Sequence, residues 1–377
     1  MTPQRIVGVC FWIVLTSAAA AAQQRGNAAS TPPEPSTVIT EQTYPAGGFI
    51  PFRRVERRTE SGGRKVIIER GEAPGVEGRW EPLEEDVTES RTRSGGPAKA
   101  GPYDTKTTTH TQRDVFYFAA QRKRTLAATT QSEQQTRPNP ITTNVERTWL
   151  ADLDGHLILS SGYSEESRLV SPGVQQTDAT VLLLGPERSL REVERNESAE
   201  QQVSAAVVRH DSTHSVRDLL NGRWVPTETR SGETRGIGSA ERVEEETIQR
   251  PNLTGALVLR DKVITRTSES NGESRVVIDT YSQDAEGFVR NDSRLALRQR
   301  VRRSTTVAAD GGQSTVEEIE ARNPLAPSDP MRVIQRTLVT VRGVAPGRWL
   351  AERQIFERDA NGRMVLVTHD TQEATDK

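Results

Sequence analysis

Five histidines are the scarcest side chains of catalytic potential in this 377-residue chain, and their spacing argues against catalysis. His210 and His214 flank Asp211 at a separation that puts both imidazoles on one face of a strand, but no third convergent ligand follows, so the pattern falls short of a zinc site. His110, His156 and His369 stand apart, and all five histidines are expected in loops. Asp152-Leu-Asp-Gly155 opens like a calcium loop, which needs six or more oxygen ligands and a closing glutamate. None follows, and Asp, Asn and Gly are also the residues that tolerate left-handed turns. There is no Gly-x-Ser-x-Gly elbow and no Gly-rich phosphate loop. Consecutive acids such as Glu84-Glu85 and Glu244-Glu245-Glu246 point to opposite faces of a strand, which makes them solvated charge and not a general acid and base pair. No catalytic residue, no metal ligand set and no cofactor is expected.

Tryptophan is the better candidate for ligand contact. Trp80, Trp149, Trp224 and Trp349 recur near the starts of similar segments, three of them as Gly-Arg-Trp. Such rings stack on sugars or line shallow ligand sites. In a repeat protein they more often pack one sheet on the next, with the neighbouring arginine across the ring, and packing is the favoured reading.

These residues sit in a repeat. Turns of the form Asp-x-x-Gly or Asn-Gly recur at Asp152–Gly155, Asn221-Gly222, Asn252–Gly255, Asp284–Gly287 and Asp359–Gly362, each followed by an apolar-alternating run. Gly48 and Gly78 open similar runs, and degenerate starts near Val115, Pro186 and Pro330 bring the total to about ten units. Within each unit a second turn, such as Asn271-Gly272 or Asp310-Gly311-Gly312, separates two runs rich in Thr, Val, Ile and Arg, which is the hairpin signal. Helix competes at Leu190 to Val208 and Thr315 to Arg322, where strand is preferred. The last unit ends at Lys377 after one strand, and Ser36 to Gly48 looks like a second strand without a first. The N-terminal strand is therefore expected to complete the last unit. The expected fold is all-β, tandem hairpins closed into a β-propeller of about five four-stranded blades, with an open meander or solenoid as the alternative.

Met1 to Ala22 reads as a signal peptide: Arg5, an apolar core and an alanine run ending at Ala22-Gln23. Its removal would take away Cys10, the only cysteine, leaving no disulfide or thiolate chemistry. Residues 23–35, rich in Ala, Ser, Gln and Pro, are expected to be a flexible leader, and residues 36–377 one β-repeat domain. With 50 basic residues against 52 acidic ones, the balance excludes a one-signed nucleic-acid surface. No later segment has the apolar length of a transmembrane helix.

The turns Asp359-Ala-Asn-Gly-Arg-Met364 and Asp284-Ala-Glu-Gly-Phe288 resemble those of YD/RHS-type secreted bacterial β-repeat proteins. The resemblance covers the short turns and implies an exported bacterial β-repeat. The Tyr-Asp dipeptide of that family is absent from these turns and the unit is longer, so no enclosing shell and no functional residue carries over.

The expected function is a non-enzymatic exported scaffold, periplasmic or extracellular, that binds an unidentified protein or glycan partner. The alternatives are a glycan-binding propeller lectin that uses the four tryptophans, and a glycosidase on a five-bladed scaffold with converging carboxylates.

Overall fold

The structure, a computed structural model, describes residues 37–375 apart from 44–48, 61–64, 76–78, 96–105, 119–123, 137–140, 153, 219, 284–294, 309–310, 324–328 and 346–347. The expected signal peptide and leader lie outside the described residues.

Twenty strands follow one another: β1 (Thr37–Thr43), β2 (Phe49–Glu60), β3 (Lys65–Pro74), β4 (Trp80–Gly95), β5 (Lys106–Phe118), β6 (Arg124–Thr136) and β7 (Ile141–Ala151). Next come β8 (Leu157–Ser171), β9 (Val174–Leu184), β10 (Leu190–Ser204), β11 (Val207–Arg217), β12 (Trp224–Arg235), β13 (Glu241–Pro251) and β14 (Leu257–Ser270). The series ends with β15 (Glu273–Gln283), β16 (Leu295–Val307), β17 (Gln313–Ala321), β18 (Arg332–Ala345), β19 (Arg348–Arg358) and β20 (Met364–Thr375). The two segments where helix competed form β10 and β17, because alternate residues there meet cross-strand partners on both sides.

The Asp-x-x-Gly turns are built by one hydrogen-bond scheme. In Asp152–His156 the Asp152 N–H donates to the His156 carbonyl and the Gly155 N–H donates back to the Asp152 carbonyl. Asn252–Ala256 and Asp359–Arg363 repeat it. The leading side chain caps the turn: Asp152 Oδ1 accepts from the N–H groups of Asp154 and His156, and Asn252 Oδ1 from those of Thr254 and Ala256. The fourth residue takes a left-handed φ, +84° at Gly155 and +81° at Gly255 and Gly362, which is the three-residue hairpin loop closed by a glycine. Arg188 holds the same place in the Gly185–Ser189 turn at φ +59°.

After each of these odd-to-even turns the even-numbered strand carries one extra, unpaired residue. The positions are Phe52, Leu83, Ala127, Ser160, Val193, Thr227, Arg260, Arg298, Ile334 and Val367. Such bulges sharpen the twist and are favoured at barrel rims. One rim is therefore bulged at every hairpin, while at the other the connections from even to odd strands vary, among the described residues, from the two of Asn271-Gly272 to the five of Gly236–Ala240, with register shifts at Val170, Val203 and Val344.

Every strand pairs antiparallel with the next, and β20 pairs with β1 as well as β19, so the ladder returns to its start. The seam runs from Thr37 opposite Glu373 to Gln42 opposite Thr368. This corrects the propeller. A propeller needs separate four-stranded blades, whereas here no pairing is missing between any two successive strands and all twenty belong to one sheet. Successive units resemble each other in sequence, so nothing groups them in pairs. The open-meander alternative lacked the β1–β20 ladder. Following the residue pairs once around the ring displaces the register by about 20 residues, which for twenty strands means a tilt of about 37° and a backbone diameter of about 35 Å.

Two outcomes are expected. Gly255 has open space around its missing Cβ, so Gly255→Ala meets only the left-handed backbone and should lower stability by about 1 kcal/mol, while Arg188→Gly should raise it by a smaller amount; urea unfolding reads both. Cysteines at Gln42 and Thr368, in a Cys10→Ser background, should oxidise to a disulfide detectable by peptide mass spectrometry. Free thiols there, under conditions that link a pair within one hairpin, would contradict the closed ring.

Candidate functional site

The wall is one sheet thick, and contacts run between neighbouring strands. Only Ala179, Ile248, Val339, Val341 and Ala351 are buried apolar residues among those described. No single pocket dominates such a wall, so the candidate functional surfaces are its two faces and two rims.

One face is rich in hydroxyls. Ser90 meets Thr111, Thr92 meets Thr109, Thr130 meets Thr148 and Thr305 meets Thr315, each pair of hydroxyls 3.0–3.2 Å apart. The same face carries Glu228 between Arg230 (2.6 Å) and Arg250 (2.8 Å), and Arg353 on Asp370. Tyr163 lies on it too, its hydroxyl pushed up to about 12 by burial and by its bond to Glu165.

The other face is ionic. Glu85 is held by Arg70 and Arg124, each at 2.6 Å, and Arg302, Arg336 and Arg300 meet Glu320, Glu318 and Asp279. Asp279 is 2% exposed and bonds Arg300 at 2.5 Å and Arg266 at 3.0 Å. Burial alone would push its carboxyl up, but the two guanidiniums outweigh that and hold it below the usual carboxylate range. A shallow groove of about 310 Å³ on this face is lined by Arg209, Asp211, Glu233, Arg235, Val243 and Glu245. Arg209 and Arg235 both bond Glu233 and hold its carboxyl low, so the groove offers paired charge and not a nucleophile with a base.

The expected site residues do not converge. Trp80, Trp149 and Trp224 stand at the bulged rim on β4, β7 and β12, spaced around the ring. Trp349 opens β19 at the opposite rim and on the opposite face, beside Gly311. The histidines expected in loops lie on strands, His110 on β5, His210 and His214 on β11 and His369 on β20, with only His156 at a turn; each strand histidine is a regular ladder residue. His210 and His214 share the hydroxyl face, where His210 faces Glu246 at 3.7 Å and His214 bonds the Thr227 hydroxyl at 2.8 Å. Asp152, Asp154 and His156 come within 4.8 Å of one another. The leading Asp is committed to the turn, and Asn252 and Asp359 do the same work in turns without that trio.

Sequence reasoning missed an apolar girdle. At the bulged rim the ionic face becomes apolar for one or two residues per strand on five hairpins: Phe116 and Leu126 face each other, as do Trp149 and Leu159, Leu184 and Leu190, Tyr281 and Leu297, and Phe356 and Leu366. Arg124 lies 3.5 Å over the Phe116 ring. The signal was in the sequence, as alternate apolar residues flanking each Asp-x-x-Gly turn, but only the register shows that they form one band.

Asp279→Asn should cost about 1–3 kcal/mol, since it leaves two guanidiniums facing a neutral amide. Because the folded carboxyl titrates below its unfolded value, the wild-type advantage should be full above the ordinary carboxylate range and fade as pH falls through the depressed folded value. Thermal melts at paired pH values measure it.

No family model matches the chain, and no curated protein matches it. Among solved structures, OccAB4 of Acinetobacter baumannii is similar with a TM-score of 0.47 at 8% identity, over 93% of this chain and all of that one. A mutant porin of Rh. blastica is similar with a TM-score of 0.32 at 9% identity, over 90% of this chain and 98% of that one. The E. coli P pilus tip assembly intermediate PapC-PapD-PapK-PapG gives 0.38 at 10% identity, over 91% of this chain and 46% of that one. Likeness at this level carries no functional conclusion. No helix among the described residues is long and apolar enough to cross a membrane. The scaffold, lectin and glycosidase expectations, all placed on a propeller, are corrected with it: among the described residues there are no separate blades, no equivalent tryptophan pockets and no propeller channel toward which carboxylates could converge.

Proposed function

We propose that the chain forms a hollow-barrel conduit of the cell envelope, through which polar solutes pass. The observation that carries this reading is the closed single-layer ring, whose width of about 35 Å leaves a lumen of about 20 Å once side chains are counted.

The lumen wall follows from chirality. Asn271-Gly272, with φ values of +49° and +80°, is a type I′ turn, and it points the N–H and C=O of Ser270 at β15. For an L-residue this fixes on which side β15 lies, seen from the Ser270 face. The register advances toward the bulged rim as the ring is followed from β1 to β20. Strands of closed sheets tilt in a right-handed sense. Only one assignment meets all three conditions: the ionic face with Ser270, Arg266 and Asp279 is outside, and the hydroxyl face with Thr265 and Thr267 lines the lumen. An inner wall of hydroxyls and paired ions presents donors and acceptors to solutes with little net charge. The outer wall carries ion pairs at mid-height and stands in water, so the conduit belongs to the aqueous side of an envelope membrane. An exported location agrees with the signal-like Met1–Ala22 segment.

The test uses single cysteines at Thr265, inside, and Thr340, outside, in a Cys10→Ser background. A small maleimide should label both, and a polyethylene-glycol maleimide wider than the lumen only Thr340→Cys. Labelling of Thr265→Cys by the bulky reagent equal to that of Thr340→Cys sinks the conduit.

A further inference from the structure

We infer that the apolar girdle at the bulged rim seats the barrel on an anionic lipid surface. The inference shares with the conduit only the assignment of the ionic face to the outside; it does not require passage of solutes.

Three observations select lipid over a protein partner. First, the band recurs around the ring. It is present on β5/β6, β7/β8, β9/β10, β13/β14, β15/β16 and β19/β20, at Phe116, Trp149, Leu184, Leu259, Tyr281 and Phe356 within three residue pairs of each bulge, and is broken by Ser215 and Arg217 on β11/β12 and by Glu320 on β17/β18. A protein partner would mark one sector, whereas a planar membrane meets a ring on many sides. Second, one or two outward residues per strand give a height of at most about 7–10 Å, which matches the depth at which interfacial segments sit at the headgroup boundary and is far short of a spanning belt. Aromatic rings are the side chains favoured at that depth. Third, exposed guanidiniums that can meet lipid phosphates stand beyond the girdle, interspersed with the turn acids Asp154, Asp218 and Asp359. Arg188, Arg223 and Arg363, in the turns on the far side of the band, are exposed, and no ion pair of their guanidiniums occurs among the described residues. On the other side of the band the wall turns ionic again at Lys262 and Asp279, which stops deeper insertion.

The experiment is vesicle flotation of the purified full chain with phosphatidylcholine alone and with phosphatidylglycerol added. Binding is expected to the mixed vesicles and to be weaker by about tenfold on phosphatidylcholine alone. Leu184→Asp and Leu259→Asp should each reduce binding by about tenfold, while Val316→Asp, on the same outer face away from the girdle, should leave it unchanged. Circular dichroism and melting confirm that each variant is folded. Replacing Arg188, Arg223 and Arg363 together by Gln should remove the preference for the anionic lipid. In single-tryptophan variants brominated lipids should quench Trp149 and Trp224 and spare Trp349 at the opposite rim. A folded protein that ignores both vesicle types, equal quenching of Trp349, or girdle-dependent dimers in place of lipid binding overturns the inference. Lumen labelling that fails with intact flotation removes the conduit alone.

Discussion

A sheet one layer thick has two exposed faces and no interior, so what keeps it together is the main-chain ladder and, above all, the absence of an end to it. With only five buried apolar side chains among the described residues, hydrophobic burial supplies far less than in a packed domain of this length. An unclosed sheet of this kind would leave two long edges of unpaired N–H and C=O groups, open to any other strand. Pairing β1 with β20 removes both edges at once. Beside the seam Asp370 and Gln372 on β20 are each 2% exposed, and Ala351 and Val341 lie next to them on the same face.

The side-chain layer explains the composition. Thr, Ser and Val suit a half-buried pleated surface, and the acids and bases meet in cross-strand pairs and in i,i+2 pairs along one strand, on both faces. Arginine dominates because its stem covers neighbouring atoms while the guanidinium reaches two partners, as Glu228, Asp279 and Glu85 show from the acid's side. Most of these pairs are partly exposed and each contributes little. Asp279, Asp370 and Glu85 are exceptions, since their burial makes the guanidiniums on them necessary and not merely favourable.

Much of this was legible in the chain. The turn chemistry at Asp152, Asn252 and Asp359, the two-residue turn at Asn271-Gly272 and the alternation between them are local, and local chemistry decides where strands begin and end. How the strands assemble was not legible. Four-stranded blades and one continuous sheet use the same hairpins, and they differ only in whether, for example, β12 pairs with β13 across Gly236–Ala240, which no single residue announces. The bulges were hidden for a similar reason. Ser160, Val193 and Arg298 have nothing in common as residue types, because a bulge is defined by what its partner strand lacks. The girdle and the lumen wall depend on register and on chirality around the whole ring, so Trp80, Trp224 and Trp349 look equivalent in sequence although Trp349 sits at the other rim.

The repetition of one bulged hairpin also explains why the ring is this wide. A register displacement of about 20 residues over twenty strands is about two residues per hairpin, and each hairpin contributes its share through its own turn and bulge. Tilt is then a local property, the same for every unit, while diameter grows with the number of units. All-antiparallel closure further requires an even number of strands, which a two-strand unit satisfies automatically. A chain that gains or loses whole units therefore keeps its tilt, its bulged rim and its two distinct faces, and changes only the bore. The width of the lumen is thus set by how many times the sequence repeats and not by any residue that lines it.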